Sequence, residues 1–316
     1  MNEEVREATP APSIAEHLSP NQRAWRRFKR NRPAVVSLAF VAVLLLVVVL
    51  WPWIAPYDWA AISDAQFQPP SATHLFGTDV HGRDLFTRVF YGARISLLVG
   101  VVGAGVAFVI GVTWGALAGY IGGRWDGLMM RFVDILYSLP SIVFVIVMIT
   151  TLDQLAKKWL SHWFGSKAAM STNMVFLFVG LGAVSWLTMS RIVRGQVLSL
   201  RHRQFVDASR ALGAGHARIL WHHILPNVYG VIIVYLTLTI PAIILYESFL
   251  SYLGLGIQPP MASWGSLIAD GAQQLNPIRI YWWLLVFPAS MLVSTLLALN
   301  FVGDGLRDAW DPRATT

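Results

Sequence analysis

Six long apolar stretches, separated by polar segments, dominate the pattern of this chain. They lie at 34–53, 94–121, 132–152, 173–190, 228–249 and 281–302. Each is close to the roughly 20 residues that an α-helix needs to cross a bilayer. The pattern therefore predicts an all-α, polytopic membrane protein with six transmembrane helices.

Two of these spans contain prolines, and one contains a row of small residues. Pro140 and Pro241 are expected to kink the third and fifth spans, which membrane bundles tolerate when neighbours satisfy the freed carbonyl. The second span carries small residues at fourfold spacing, which share one helical face where a neighbouring helix can approach closely. These residues are Gly103, Ala107, Gly111, Gly115 and Gly119.

Composition agrees with a membrane protein. Of the 316 residues, 55% are hydrophobic and 13% are charged, whereas soluble domains carry roughly 25% charged residues. The absence of cysteine excludes disulfides and thiolate metal sites. A net charge of +7 in a soluble protein would suggest nucleic acid. Here the basic residues flank apolar spans, so we expect a lipid bilayer as partner and no nucleic acid.

The distribution of basic residues predicts the orientation. Of the 24 lysines and arginines, 17 lie in the segments on one side of the predicted spans and seven on the other. Because cytoplasmic loops are enriched in Lys and Arg, both termini are expected in the cytoplasm. The first apolar run ends in Trp51-Pro52-Trp53 without a small-residue cleavage site, which indicates an uncleaved anchor. The segment 25–30 before it resembles a short basic amphipathic helix on the cytoplasmic lipid surface.

The segment after the first span, 54–93, is long and polar. Thr78 or Asp79 is a candidate N-cap for a helix whose apolar face includes Leu85 and Phe90. One interpretation is an interfacial helix with local salt bridges. The other is a docking site for an external partner.

The loop 191–227 is too polar to cross a membrane, yet it is patterned. Its apolar positions Phe205, Ala208, Leu212 and Ile219 fall near one helical face. Gly213-Ala214-Gly215 is expected to break the helix, and residues 216–224 can form a second helical stretch before Pro226. Such an element can act as a mechanical lever whose small residues fit a partner's groove. The alternative is a connector without a partner.

Two carboxylates fall within predicted spans. Glu247 lies near the outer end of the fifth span, and Asp134 lies near the cytoplasmic end of the third. Ionisable groups at such depths normally face protein or water. Each is therefore a candidate either for the translocation path or for polar pairing, and pairing is the preferred interpretation for Glu247.

Several catalytic motifs are missing from the sequence. No lysine follows a glycine, so the chain has no phosphate-binding loop, and ATP-driven work would need another chain to bind the nucleotide. Neither His-Glu-x-x-His nor Gly-x-Ser-x-Gly occurs. The adjacent His222 and His223 point about 100° apart on a helix, which disfavours a metal site. We expect a non-catalytic chain without a cofactor or metal of its own.

The patterned loop resembles the Glu-Ala-Ala…Gly…Leu-Pro loop of bacterial ABC importer permeases. The matching residues are Asp207-Ala208-Ser209-Arg210-Ala211-Leu212-Gly213 and Ile224-Leu225-Pro226-Asn227. Asp207 stands for the usual glutamate and Ser209 for the second alanine. Segments 76–97, 250–256 and 303–312 look like the C-type subunit of dipeptide and oligopeptide permeases. Segments 184–187 and 192–196 look most like the oligopeptide branch, and the resemblance covers about residues 25–313.

This resemblance implies a type I ABC importer permease fold, like that of methionine importers, in the bacterial inner membrane. It divides the chain into a basic segment 1–33, an anchor helix 34–53, an extracytoplasmic segment 54–93, a permease core 94–303 and a tail 304–316. It implies a homologous B-type permease, two ATPase subunits that bind ATP and magnesium, and an extracytoplasmic binding protein that delivers peptide. The implied ATPase-coupling helix comprises Phe205, Asp207, Ala208, Ser209, Arg210, Ala211, Leu212 and Gly213.

The expected function is thus translocation of oligopeptides by an ATP-driven importer. Dipeptides, nickel or another small solute are alternative cargoes within the same family. An ATP-independent channel or secondary transporter is the alternative from a different class, and the sequence shows no convincing internal repeat of the kind that many secondary transporters carry.

Overall fold

The computed structural model describes residues 20–148, 150–151, 166–275 and 278–310, and in these residues it contains helices and no β-strand. The all-α class is confirmed. Residues 1–19 of the predicted basic segment 1–33, the end of the third span beyond 151 and the tail beyond 310 lie outside the described residues. The helices are α1 (Pro20–Arg30), α2 (Arg32–Ile54), α3 (Leu85–Ile121), α4 (Gly123–Tyr137), α5 (Ser141–Met148), α6 (Ser166–Leu200), α7 (Gln204–Ala211), α8 (His216–Arg218), α9 (Leu225–Tyr252), α10 (Trp264–Gln273) and α11 (Trp283–Trp310).

Four helices of the described chain are long and apolar enough to cross a membrane. They are α2, α3, α11 and the continuous helix His216–Tyr252, in which a π-helical turn at Ile219–Ile224 joins α8 to α9. The pair α4 and α5 supplies a fifth candidate, bent by 86° at the break that contains Pro140. The kink predicted there is therefore present. The predicted fourth span, 173–190, lies within the 35 residues of α6, and the count of six spans stays a prediction.

The second span begins earlier than the apolar pattern predicts. Helix α3 starts at Leu85, so the predicted interfacial helix forms the first turns of the membrane helix itself. Its N-cap is Asp84, whose carboxylate accepts hydrogen bonds from the Thr87 N–H and hydroxyl, each at 2.8 Å. The predicted caps Thr78 and Asp79 are wrong because the carboxylate of Asp79 instead accepts from the backbone of the preceding turn.

The basic helix α1 packs on protein as well as facing outward. Phe28 is buried with Ala34 and Ala309, next to the end of α11. Trp25, on the same helix, is half exposed and stacks on Phe28. The apolar side of this amphipathic helix is thus divided between the C-terminal turns of α11 and the outside of the molecule.

The small-residue face of α3 packs closely against α6, and this is the most extensive helix pair of the structure. A Cβ added at Gly111 would lie 2.6 Å from the Cβ of Met189, and one at Gly119 would lie 2.8 Å from the Arg194 carbonyl oxygen. At Gly115 it would collide with the backbone of Ser190. The close approach predicted from the fourfold spacing is confirmed, and its partner is α6.

We expect Gly115→Ala to lower the free energy of unfolding by about 1–3 kcal/mol, the usual cost of overpacking a tight interface. The added methyl group meets backbone atoms of α6, which cannot rotate away. Gly105→Ala on the same helix is the matched control, because no atom lies within 4 Å of the added group. Thermal unfolding in detergent measures both variants. Equal melting temperatures for the two would contradict the role of this interface.

Local salt bridges, predicted for the segment 54–93, are present, and they extend to α10. Asp79 is buried and accepts from Arg83 Nε at 2.7 Å and from the Arg88 guanidinium of α3. Arg88 also lies 3.7 Å from Asp270 of α10. Burial tends to raise the pKa of Asp79, but the charges of Arg88 and Arg83 and hydrogen bonds from the backbone lower it below the ordinary value of 3.8.

This lowered pKa of Asp79 predicts that the segment 54–93 is sensitive to acid. A carboxylate whose folded-state pKa is depressed stabilises the fold above its ordinary pKa, and the stabilisation is lost as the pH falls through the folded-state value. Asp79→Asn is expected to cost about 3 kcal/mol at neutral pH, because it leaves Arg88 buried without its main partner. It should also flatten the loss of stability below pH 4. Limited proteolysis across pH, with the exposed Asp64→Asn as control, tests this. An unchanged acid profile in Asp79→Asn would contradict it.

Candidate functional site

The patterned loop begins later than the sequence predicts. Helix α6 continues to Leu200, ten residues past the predicted end of the fourth span, so Arg191 and Arg194 lie on a helix rather than in a loop. Arg194 makes a bidentate ion pair with Asp126 of α4, at 2.5 and 2.7 Å. A bidentate pair holds two elements in a defined orientation. The sequence pattern contained no signal for this pairing, because the residues are 68 positions apart.

The predicted helix–glycine–helix element is present. Helix α7 is followed by Gly213, which has a φ of +80° and whose N–H donates to the Arg210 carbonyl at 2.9 Å. Glycine ends helices in this left-handed conformation without the strain that a side chain would add. The predicted second helical stretch also forms, but it does not stop before Pro226. It continues through the π turn into α9, so the bend at Gly213 connects α7 directly to the end of a membrane helix.

The apolar face predicted for this element holds only in part, because Phe205, Ala208 and Leu212 are all exposed whereas Ile219 is buried. The residue that anchors α7 is Val206, which is fully buried in a cluster with Ile219 and Leu220. Phe205 is 40% exposed and Leu212 is 89% exposed. The reason is that α7 has only two turns and the bend at Gly213 separates it from Ile219, so one straight helical face cannot include all the apolar positions.

On this element an apolar surface remains that no other described residues cover. We call it the coupling surface, and it consists of the exposed residues Phe205, Ala208, Ala211, Leu212 and Gly213. Beside it, Arg210 pairs with Asp207 at 3.1 Å, and both side chains are largely exposed. The Ser209 hydroxyl donates to the Phe205 carbonyl at 2.8 Å. Exposed apolar groups of this kind mark interaction sites in folded proteins.

A second feature is a membrane cleft of about 330 Å³, which we call the hydroxyl cleft. It lies between the α4–α5 break, α6 and α9 and is lined by aromatic, aliphatic and hydroxyl side chains without a charged group. Its polar lining residues are Tyr137, Ser141, Ser185, Thr188, Tyr235, Thr239 and Tyr246. Its volume falls within the range of small-molecule sites. No local sequence pattern marks this cleft, because its lining residues come from separate helices.

Asp134 lies beside the mouth of the hydroxyl cleft. Arg191 donates to its carboxylate at 2.7 Å, and the Arg191 guanidinium also lies 4.1 Å from the centre of the Tyr137 ring, which lines the cleft. The side chains of Arg191 and Asp134 are 40% and 63% exposed. Asp134 is therefore both paired and accessible, as its position near the end of a predicted span suggests. A role in translocation stays a prediction.

Glu247 is fully buried in a cluster of serines and does not line the hydroxyl cleft. Its carboxylate accepts from Ser251 at 2.6 Å, from Ser96 of α3 at 3.2 Å and from Ser248 at 3.4 Å. Ser96 also accepts from the backbone N–H of Trp264 at the start of α10. Glu247 is thus paired with polar groups, as preferred, and through Ser96 this cluster connects α9 with α3 and α10. A place on the translocation path stays a prediction.

Family models match most of the chain. Residues 111–316 match the binding-protein-dependent transport system inner membrane component, and residues 19–70 match the N-terminal TM domain of oligopeptide transport permease C.

Within the described part of the chain, no group of three or more His, Cys, Asp or Glu residues is placed to hold a metal ion.

Curated relatives agree along almost the full length. The chain is 49% identical to the oligopeptide transport system permease protein OppC of Salmonella typhimurium, over 92% of this chain and 91% of that one. It is 48% identical to OppC of Escherichia coli, with the same coverage. It is 44% identical to the dipeptide transport system permease protein DppC of Bacillus subtilis, over 94% of this chain and 87% of that one.

Solved structures support the fold. Inward-facing conformations of the MetNI methionine ABC transporter match with a TM-score of 0.52 at 21% sequence identity, covering 71% of this chain and 97% of that one. A second crystal form matches with a TM-score of 0.51 at 18% identity. The structural likeness places the helical core in the type I importer permease fold.

Proposed function

Because the chain belongs to the family of binding-protein-dependent transport system inner membrane components, we propose that it is the C-type permease subunit of an ATP-driven importer of oligopeptides. The observation that carries the proposal is the coupling surface, where Phe205 and Leu212 are exposed and no element of the described chain covers them. Exposed apolar side chains on a short ordered helix favour a protein partner. Near 48% identity to oligopeptide permeases supports this class of cargo.

The partners follow from the same premise. Two ATPase subunits would bind ATP and magnesium, and one of them would grip this chain at the coupling surface. A homologous B-type permease would complete the translocation path, and an extracytoplasmic binding protein would deliver peptide. Both termini would lie in the cytoplasm, as the distribution of basic residues favours.

The connection between α7 and α9 supports a mechanism. ATP binding would close the ATPase dimer and move α7, and the continuous helix His216–Tyr252 would carry this movement into the membrane. Hydroxyl-cleft residues Tyr235 and Thr239 lie on that helix, so displacement at its cytoplasmic end changes one wall of the cleft. Hydrolysis would then reset the pair of permeases. Such a cycle needs two helix packings of similar energy that the ATPases bias.

The hydroxyl cleft suits peptide cargo. Hydroxyl groups can donate to and accept from peptide amides, and the tyrosine rings can contact side chains of many types. The lining carries no fixed charge that would reject acidic or basic side chains. These features favour a path that accepts varied peptides, with selectivity left to the binding protein. Metal cargo would instead favour carboxylate or imidazole ligands.

We expect Ala242→Trp to reduce peptide uptake at least tenfold, because the indole would fill much of the hydroxyl cleft that Ala242 lines. Association with the ATPase subunits should be retained. Leu245→Trp on the same helix is the matched control, since this exposed residue does not line the cleft. Uptake of a labelled peptide by proteoliposomes measures both. Normal uptake by Ala242→Trp would mean that the hydroxyl cleft is not part of the translocation path.

Affinity purification of the chain in mild detergent tests the proposed function as a whole. ATPase subunits and a second permease should co-purify, and the complex should take up defined peptides when ATP is added. Uptake of dipeptides or of nickel in place of longer peptides would change the cargo and retain the transporter class. Purification of the chain alone, stable and able to move solute without ATP, would overturn the proposal in favour of a channel or secondary transporter.

A further inference from the structure

A second cavity lies beside the coupling element and has a different character. It encloses about 720 Å³ between the end of α3, the turn after α6, and helices α7 and α8. One part of its lining is apolar and is formed by Leu117, Ile121, Leu220 and Trp221. Another part carries Arg201, His202, Arg210 and His216. No carboxylate of the described chain lines it, so the cavity combines an apolar wall with a basic one.

Arg201 is the central cation of this cavity. Its Nη1 donates long hydrogen bonds to the carbonyls of Gly119 and Tyr120, at 3.3 and 3.4 Å, and its Nε donates to His202 at 2.8 Å. Among the described residues, no carboxylate pairs with Arg201. Its acceptors within the described residues are thus two backbone carbonyls and an imidazole nitrogen, and none is a carboxylate. Arg210, by contrast, pairs with Asp207.

The backbone makes room for this guanidinium. Gly122 follows α3 and has a φ of +66°, and a Cβ there would collide with the guanidinium of Arg201. Glycine at this position thus permits both the left-handed turn and the close approach of Arg201. On the other side of the cavity, the hydroxyl of Tyr120 lies 2.8 Å from Nδ1 of His216. The residues of the basic wall are thus held in place by contacts with the end of α3: Arg201 by its backbone carbonyls and His216 by Tyr120.

The side chains of the apolar wall are partly exposed on the outer surface of the described chain. Leu117, Ile121 and Trp221 are each about half exposed, at 46%, 53% and 49%. Leu117 and Ile121 belong to the last turns of α3, where the membrane-spanning helix reaches the side that carries α7. A half-exposed tryptophan is typical of the level of lipid headgroups. An amphiphilic ligand could contact both walls at once.

We propose that this cavity binds an anionic phospholipid, with the headgroup phosphate at Arg201 and the acyl chains along Leu117, Ile121 and Trp221. Basic pockets between membrane helices on the cytoplasmic side are suited to such headgroups. A free phosphate would use only the basic wall, and a neutral lipid would use only the apolar one. The side of the membrane rests on the proposed orientation, which places the cavity in the cytoplasmic leaflet.

Photo-crosslinking with lipids tests this inference on the complex as purified with its partner subunits. The complex is placed in nanodiscs of phosphatidylcholine that contain a trace of phosphatidylglycerol with a diazirine in its acyl chain, or of phosphatidylcholine with the same chain. Peptide mapping by mass spectrometry then locates the labelled residues. We expect labelling around Leu117, Ile121 and Trp221 to be at least about fivefold stronger with phosphatidylglycerol.

Three variants separate a specific site from general surface charge. Arg201→Gln should lower the preference for phosphatidylglycerol about fivefold, whereas Arg201→Lys should retain most of it, because the cation remains. Arg218→Gln removes an exposed cation of the same segment that does not line the cavity, and it should have no effect. Melting temperatures of the variants verify that each is folded.

Several results would overturn the inference. Equal labelling by the two lipids would mean that the cavity has no preference for an anionic headgroup. If Arg201→Gln and Arg218→Gln lowered the preference for phosphatidylglycerol equally, that preference would reflect general surface charge and not a specific site. No labelling at these residues in an intact, ATP-hydrolysing complex would show that a partner subunit covers the cavity. In that case the transport function would stand and only the lipid site would fail, whereas absence of a complex would contradict the proposed function.

Discussion

Replacing Gly213 with proline is expected to abolish peptide uptake while the chain still inserts into the membrane. Gly213 has a φ of +80°, and the proline ring holds φ near −65°. Proline would also remove the N–H that donates to the Arg210 carbonyl. The bend between α7 and α8 therefore cannot form as it is. ATP-driven uptake of a labelled peptide measures the loss, and we expect a residual rate below about a hundredth of the wild-type rate, because a misplacement of about 1 Å can already cost a hundredfold.

Two alanine variants serve as controls for this experiment. No atom lies within 4 Å of a Cβ added at Gly213 or at Gly215, so the two positions differ mainly in backbone conformation. Gly215 has a φ of −69°, which alanine adopts freely, and Gly215→Ala should transport normally. Gly213→Ala should be destabilised by about 1 kcal/mol. Normal uptake by Gly213→Pro, with the protein present in the membrane at the usual level, would contradict the role of this bend.

Leu212→Asp is expected to release the ATPase subunits without destabilising the chain. The side chain is 89% exposed, so a charged residue there costs little in the isolated fold. At an interface with a partner, however, it would place an unpaired charge against an apolar groove, which costs several kcal/mol. Peptide-stimulated ATPase activity and co-purification of the ATPase subunits should both fall at least tenfold. The melting temperature in detergent should change by less than about 2 °C.

Ile62→Asp is the matched control, because this residue is 74% exposed in the segment 54–93, away from the coupling surface. The same chemical change at that position should leave the ATPase subunits bound. Val206→Ala provides the opposite contrast, since truncating a fully buried residue lowers the stability of α7 itself. Retention of the ATPase subunits by Leu212→Asp would mean that the partner does not grip the chain here.

The membrane helices and the break in the coupling element could be predicted because their signals are local. Runs of apolar residues indicate contact with lipid or with a helical core, and Gly213 indicates a left-handed turn that few other residues adopt. The tight packing of α3 was also predictable, since fourfold spacing places Gly111, Gly115 and Gly119 on one face. That their partner is α6 was not predictable, because each helix of the bundle offers a similar apolar surface.

Helix boundaries were harder to predict where a helix leaves the membrane. Helix α3 begins at Leu85 and α6 ends at Leu200, each about ten residues outside the apolar run. Polar residues such as Arg88 and Arg194 interrupt the hydrophobic pattern without interrupting the helix. The position of Asp84 rather than Asp79 as N-cap likewise depends on the fold of the preceding turn, which engages the carboxylate of Asp79.

The amino-acid sequence by itself determined that this protein is a helical membrane protein with a polar helix–glycine–helix element between two spans. Only the tertiary structure decided which side of α7 is buried, because that depends on Val206 meeting Ile219 and Leu220 across the bend. It also placed Glu247 among serines of α3 and α9 and brought Arg201 to the end of α3. The local pattern of apolar and polar residues indicates whether a residue is buried, exposed or in a turn. Which residue it contacts depends on how segments distant in the sequence pack together.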